Sequence, residues 1–152
     1  MDKPIQIIDY MEPELVVFLQ ANTLDEGLRQ LVDKAYAVGK IEDRKAFYQA
    51  IIEREKIVST GIGMGVAIPH AKLPGYDNFF IVIGILQKSV DWHALDGAPV
   101  RLIFMIGGPD DKQTEYLQIL SSLTQAIKDE DRRKKLLNLT NVNAIIELFR
   151  TI

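Results

Sequence analysis

A single histidine stands directly after a proline, at the end of a short apolar run that follows three alternating glycines. The residues, in chain order, are Gly61, Gly63, Gly65, Val66, Ala67, Ile68, Pro69 and His70. Proline disfavours helix at the residue before it, so we expect the chain to be extended as it reaches His70. An imidazole there could act as a base, a metal ligand or a covalent phosphate acceptor, or be a plain surface residue. The glycines fit either a tight turn near the core or a loop whose N–H groups bind an anion.

Several kinds of site lack the residues they need. The chain has no cysteine and only one other histidine, His93, which does not stand at a ligand spacing from His70, so no metal site is predicted. No Gly-Lys-Ser/Thr follows the glycines, and they lack the strand and helix that flank a dinucleotide-binding loop. A hydrolase with His70 as its base would need a nucleophile motif such as GxSxG, which is absent.

Composition narrows the class of protein further. The 152 residues are 47% hydrophobic and 26% charged, which is typical of one globular domain, here residues 1–152. A net charge of −3 argues against a nucleic-acid-binding surface, and the basic cluster at 132–135 is interpreted as a solvated helix face. No apolar run reaches the roughly 18 residues of a membrane span, and the N-terminus is not that of a signal peptide. We therefore expect a cytoplasmic protein without membrane insertion.

The elements that must position the histidine can be read from capping residues and apolar spacing. Thr23 and Glu26 form a capping box, which predicts a helix that ends near Gly39. Asp43 is the predicted cap of a second helix, which buries Phe47 and Ile51 and ends near residues 54–55.

Two near-continuous apolar runs, at 78–86 and 100–106, are typical of central strands covered on both faces. Three helices are predicted after them, at about 111–128, 129–138 and 142–149. The first of these is expected to bury Leu117, Leu120, Leu123, Thr124 and Ile127. The fold class is therefore α/β, a single mixed β-sheet flanked by helices.

The stretch from Arg54 to Lys72 reads REKIVSTGIGMGVAIPHAK. It resembles the active-site signature of the fructose/mannitol type of IIA proteins in the bacterial phosphoenolpyruvate-dependent phosphotransferase system, a class that includes the nitrogen-regulatory IIA protein. The resemblance extends over nearly the whole chain, through Asp96-Gly97-x-Pro99-Val100 before a strand and a Pro109 loop before a leucine-rich helix. It implies the IIA type 2 fold for this chain.

The resemblance also implies roles for individual residues. His70 would be phosphorylated by the phosphocarrier HPr or an equivalent, with no small-molecule cofactor. Arg54 matches the family arginine beside the phosphohistidine, where a permanently charged, planar guanidinium suits phosphate oxygens; it also fits a cation at a helix C-terminus. Thr60, with the N–H groups of Gly61 and Gly63, would bound the phosphate pocket, although the Thr60 hydroxyl could instead bond its own backbone.

One position departs from the family pattern. Where relatives carry a second histidine in His-Leu-x-x-Leu, this chain reads Tyr116-Leu117-Gln118-Ile119-Leu120. A phenol can donate a hydrogen bond but cannot carry a positive charge at neutral pH. Two hypotheses follow. In the first, the chain is a phosphotransferase component that passes phosphate to a IIB component or signals to a regulatory target. In the second, it is an interaction module that has lost phosphotransfer. Because no IIB or IIC domain accompanies the chain, the first hypothesis favours a regulatory role over sugar uptake.

Overall fold

The computed structural model describes residues 4–150, beginning with two short 3₁₀ turns at Ile7–Tyr10 and Pro13–Leu15. Strand β1 spans Val16–Leu19, and helices α1 and α2 span Leu24–Ala37 and Arg44–Ile57. The predicted cap of α1 is confirmed, because Thr23 Oγ1 accepts a hydrogen bond from the Glu26 N–H at 3.1 Å. The Glu26 carboxylate, however, accepts from the N–H of Asn22 rather than from that of Thr23.

Helix α2 begins after Asp43, whose side chain accepts from the N–H of Ala46, as predicted. It continues about two residues beyond the predicted end, to Ile57. Arg54 stabilises these last residues, because its Nη1 donates to the carbonyl oxygen of Val58 at 2.9 Å.

Five further strands complete the sheet: β2 at Gly61–Gly63, β3 at Val66–Ala67, β4 at His70–Leu73, β5 at Phe80–Val90 and β6 at Val100–Pro109. The path of hydrogen-bonded strands is β1-β5-β6-β3-β2, with β4 also paired to β6. The β5–β6 pair is antiparallel, whereas β1 runs parallel to β5 and both β3 and β4 run parallel to β6. The mixed sheet is thus confirmed, with the two apolar runs at its centre.

Helices cover both faces of this sheet. Helices α1 and α2 pack on one face, over a core that includes Phe47, Trp92 and Met105. Helices α3 at Gln113–Lys128, α4 at Glu130–Asn138 and α5 at Val142–Glu147 pack on the other, over a core that includes Phe104 and Phe149. Within residues 4–150 no helix is both long and apolar enough to cross a membrane.

The predicted buried face of α3 is partly wrong. Leu117 is 52% exposed, and Leu120 and Thr124 are only half-buried. The helix instead buries Tyr116, Ile119, Leu123, Ala126 and Ile127. The leucine spacing misleads because Tyr116 and Ile119 supply an alternative helical stripe one position earlier, and the sheet packs against that stripe.

Candidate functional site

His70 lies at the start of β4, a strand that pairs with the central strand β6. The preceding Pro69 carbonyl accepts a hydrogen bond from the N–H of Ile106, and His70 itself is in register with Ile106 on β6. The chain is extended as it reaches His70, as Pro69 predicted. The side chain is half-buried between the C-terminal end of α2 and the first turns of α3.

Both imidazole nitrogens of His70 have a partner. Nε2 lies 3.2 Å from Arg54 Nε, which can only donate, so Nε2 carries the lone pair. Nδ1 lies 3.2 Å from the carbonyl oxygen of Ile68 and must then carry the proton. The two contacts select one neutral tautomer, with its free electron pair on Nε2.

The pKa of His70 is lowered from its ordinary value of 6.5. Burial is the largest cause, since it disfavours the charged ring, and the positive charges of Arg54 and Lys72 act in the same direction. The Ile68 carbonyl acts in the opposite direction by accepting a hydrogen bond from the ring. The imidazole is therefore neutral, and a competent nucleophile, at neutral pH.

The position of Arg54 is compatible with both roles considered from sequence. It stands in the last turn of α2 and bonds the Val58 carbonyl at the helix end through Nη1. The same guanidinium reaches His70 through Nε. One side chain thus closes the helix and holds a fixed positive charge beside the nucleophilic nitrogen.

His70 opens into a cleft of about 380 Å³ between the β2–β3 hairpin and α3. The described residues that line it include two cations and no carboxylate: Arg54, Ser59, Thr60, Ile62, Met64, Ile68, His70, Tyr116, Leu120, Thr124 and Lys128. A cleft with this lining favours an anionic group over a cationic one.

Thr60 lines the cleft, but its polar groups are engaged elsewhere. Its hydroxyl donates to Glu55 Oε1 at 2.5 Å and accepts from Trp92 Nε1 at 3.2 Å, while its N–H donates to Glu55 Oε2 at 2.7 Å. Trp92 is fully buried and Thr60 is 5% exposed. This network ties the end of α2 to the start of β2, so it positions the wall of the cleft.

Gly61 and Gly63 lie outside the lining of the cleft. The N–H of Gly61 donates to Ser59 Oγ at 3.1 Å, and a Cβ at this position would lie 2.7 Å from that of Ala94. Gly63 has a φ of +95° at the hairpin. These two glycines therefore allow a close approach and a tight turn, which is the structural alternative considered from sequence.

Tyr116, which is expected from the sequence resemblance to stand in place of a second histidine, packs beside His70. It is 5% exposed, and its ring centre lies 5.6 Å from that of His70, with the planes tilted by 47°. Burial raises the pKa of the phenol, so the hydroxyl is neutral. The Tyr116 ring thus packs beside the imidazole of His70 without supplying a charge.

Two cations near His70 were not among the residues predicted from sequence. Lys72 places Nζ 4.1 Å from the centre of the Tyr116 ring, and Lys128 lines the cleft. Each had a signal: Lys72 is two residues from His70 on a strand, and Lys128 follows Tyr116, Leu120 and Thr124 at intervals of four on a helix. His93, by contrast, is exposed and pairs with Asp91, outside the cleft.

Residues 9–151 match the model of a family described as the phosphoenolpyruvate-dependent sugar phosphotransferase system, EIIA 2. The fructose-specific EIIABC component of Bacillus subtilis is 42% identical over 127 residues, which cover 84% of this chain but 19% of that protein. The chain therefore corresponds to about a fifth of this multi-component relative. A nitrogen regulatory protein of Bradyrhizobium diazoefficiens is 32% identical over 131 residues, covering 86% of this chain and 85% of the relative.

Solved structures show the same fold. Nitrogen regulatory protein IIA-Ntr from Neisseria meningitidis superposes with a TM-score of 0.88 at 23% identity, covering 94% of this chain and 98% of the other. IIA mannitol from Escherichia coli superposes with a TM-score of 0.77 at 25% identity, covering 91% and 97% of the two chains. The likeness includes the mixed sheet and the helices on both of its faces.

Proposed function

Because the chain belongs to the EIIA 2 family of the phosphoenolpyruvate-dependent sugar phosphotransferase system, we propose that it carries a phosphoryl group on Nε2 of His70. The donor is an HPr-type protein with its own phosphohistidine, and the reaction takes place in the cytoplasm. One observation carries the assignment to this residue and atom: the Ile68 carbonyl holds the proton on Nδ1, while Nε2 presents its lone pair beside Arg54 in a cleft lined by cations.

The transfer step needs little besides position and charge. The Nε2 lone pair of His70 forms a bond to phosphorus as the N–P bond of the donor breaks, and that bonding pair returns to the donor nitrogen. The proton on Nδ1 stays in place, and its hydrogen bond to Ile68 stabilises the positive charge that the ring acquires. No proton has to be removed, because Nε2 carries none.

Arg54 has to change partner during this step. Its Nε–H now points at the lone pair that must meet phosphorus, at 3.2 Å. When the phosphoryl group arrives, the guanidinium moves from the ring nitrogen to the phosphoryl oxygens, for which its planar fork of donors is suited. The bond from Nη1 to Val58 limits this movement to a small rotation.

We propose a regulatory role before one in sugar uptake. The relative named as a nitrogen regulatory protein is similar over 86% of this chain, which supports that role. Phosphorylation would add about two negative charges at a surface where Ile62 and Met64 are exposed, which changes the partner that this face accepts. The acceptor is then a regulatory target; a IIB component is the alternative, since the mannitol IIA neighbour has been solved in complex with phosphorylated IIB.

A second candidate is an interaction module without phosphotransfer. The observation that favours it is the neutral, buried Tyr116 at the place of a histidine. Against it stand the direct contact between Arg54 and His70 and the cationic lining of the cleft.

The test is phosphorylation in vitro with phosphoenolpyruvate, enzyme I and the HPr-type carrier, read by intact mass. We expect one added phosphate in the wild type and none in His70→Ala. The other histidine provides the matched control: His93→Asn should match the wild type, because asparagine tolerates the positive φ of 55° at this position. If only Tyr116→His gains phosphate and the wild type does not, the interaction module is the correct function.

A further inference from the structure

Lys72 is held beside His70 by two contacts from helix α3. Its Nζ donates to Gln113 Oε1 at 2.7 Å and lies 4.1 Å from the centre of the Tyr116 ring. Gln113 and Tyr116 are one turn apart on the helix, so both contacts come from the same face. The ammonium is thereby fixed on the ring that packs against the imidazole, at a centre-to-centre distance of 5.6 Å.

The strand geometry directs Lys72 and His70 to the same side of the sheet. Residues two apart on a strand share a face, and Ala71 between them packs in the core below α1 and α2. Tyr116 belongs to the opposite core, below α3 to α5. The imidazole, the phenol ring and the ammonium therefore meet on the α3 side of β4.

A phosphoryl group on His70 would carry about two negative charges. Arg54 provides one permanent positive charge, and Tyr116, which is neutral, provides none. Helix α3 contributes Lys128 to the lining of the cleft, but Tyr116, the side chain that it packs beside the imidazole, carries no charge. Lys72 brings a positive charge to this tyrosine, because its Nζ lies over the face of the ring.

We propose that Lys72, held over Tyr116 by a cation–π contact, is the second cation that binds the phosphoryl oxygens at His70. This inference rests on the proposed function of His70 and adds to it a residue and a role for the tyrosine. Tyr116 acts as the platform that keeps the ammonium in place, and Lys72 provides the charge.

Two properties of the side chain support this role. Lysine has a flexible stem with three donors on Nζ, of which Gln113 takes one, so the ammonium can turn to a phosphate oxygen by a change of rotamer. The positive charge of Lys72 already contributes to the lowered pKa of His70, which places it within electrostatic reach of the ring.

The experiment compares Lys72→Gln, Lys72→Arg and Lys88→Gln. Lys88 is an exposed lysine toward the far end of β5 and serves as the matched control for loss of one positive charge. We expect Lys72→Gln to slow the gain of phosphate about tenfold and to shorten the half-life of phosphohistidine, because a charge-assisted contact is lost. Lys72→Arg should restore both values, and Lys88→Gln should match the wild type. Equal rates and half-lives in Lys72→Gln and the wild type would overturn the proposal.

A second measurement distinguishes failure of the phosphocarrier function from failure of the role proposed for Lys72. Inorganic phosphate is titrated while the Cε1–H resonance of His70 is followed by NMR, and unfolding temperatures confirm that each variant is folded. If the wild type is never phosphorylated but binds phosphate, and Lys72→Gln weakens this binding about tenfold, the phosphocarrier function fails and the anion-binding role of Lys72 stands. If phosphate perturbs His70 equally in both, the role of Lys72 is excluded whatever the outcome of phosphorylation.

Discussion

At the scale of the residue, the protonation state of His70 decides when it can accept a phosphoryl group. Two cations act on it from neighbouring elements, Arg54 on α2 and Lys72 on β4. The neutral Tyr116 of α3 packs beside it, and Lys128 lines the same cleft. Burial, and after it the charges of Arg54 and Lys72, disfavour a protonated ring, so the lowered pKa of His70 extends the range of the neutral base toward acid.

We therefore predict that phosphate acceptance is independent of pH around neutrality and declines only below the ordinary histidine pKa of 6.5. Protonation of Nε2 at lower pH removes the lone pair, so the rate falls as pH falls through the pKa in the folded protein. NMR titration of His70 measures this value without the donor protein. A midpoint at or above 6.5 would contradict the prediction, and Arg54→Gln should raise the midpoint by removing one cation.

A second prediction concerns the shape of the Arg54 side chain. Its guanidinium bonds Val58 and His70 at the same time through different nitrogens. Lysine keeps the charge but has no planar fork, so we expect Arg54→Lys to slow the gain of phosphate by about tenfold or more. The control is Arg44→Lys in the first turn of the same helix. A rate in Arg54→Lys that equals that of the control would show that charge alone is sufficient.

The proximity of His70 and Arg54 was expected from sequence because the resemblance to the IIA signature covers a segment that contains both, and their side chains do meet, at 3.2 Å. Their roles in phosphotransfer stay predictions. Lys72 could not be assigned from spacing alone, since its role depends on where α3 lies. Thr60 was predicted as a pocket residue, and it does line the cleft, but its bonds to Glu55 and Trp92 depend on a contact between segments distant in sequence.

At the scale of the element, the network of Glu55, Thr60 and Trp92 fixes the junction between α2 and β2. The Glu55 carboxylate accepts from the N–H and the hydroxyl of Thr60, and from Trp92 Nε1 at 3.4 Å. The N–H of Ile68 donates to the Thr60 carbonyl, and Ile68 in turn accepts from His70. The network is therefore connected to the imidazole through Ile68, by one backbone hydrogen bond and one bond to the ring.

We predict that Glu55→Gln destabilises the protein by about 1–3 kcal/mol, because buried donors lose a charged acceptor. Urea unfolding measures the change, with the exposed neighbour Glu53→Gln as the matched control. We also expect slower phosphate acceptance in Glu55→Gln alone, as the wall of the cleft is loosened. A free energy of unfolding equal to that of Glu53→Gln would show that the network carries no net stability.

The elements themselves were predicted unevenly, for physical reasons. Helices with a side-chain cap and apolar strands at the centre of the sheet carry strong local signals, and these were confirmed. Strand β1 was not predicted, since its four residues become a strand only by pairing with β5. The stripe that α3 buries was misjudged because two helical stripes compete in its sequence, and only packing against the sheet distinguishes them.

At the scale of the whole molecule, the net charge of the chain is negative, whereas the charged residues that line the cleft are positive. The chain carries −3 overall, which repels an anionic phosphoryl donor at long range. The described lining of the cleft holds Arg54 and Lys128 and no carboxylate, which attracts the same group at short range. Since the Debye length is about 10 Å at 0.1 M salt, most of the surface charge is screened from a donor already at the cleft, and the local cations should dominate.

Whether the transfer rate falls or rises with salt shows which charge controls the encounter with the donor, that of the cleft or the net charge of the chain. We predict that the second-order rate of phosphate transfer from the HPr-type donor falls between about 0.1 and 1 M KCl, as the Debye length shrinks to about 3 Å. Lys128→Gln should lower the rate at the lower salt concentration and flatten its dependence on salt. Lys45→Gln, which removes the same charge at the opposite end of α2, should leave the dependence as in the wild type. A rate that instead rises with salt would mean that the net negative charge governs association, and that the cations of the cleft act only after the donor has docked.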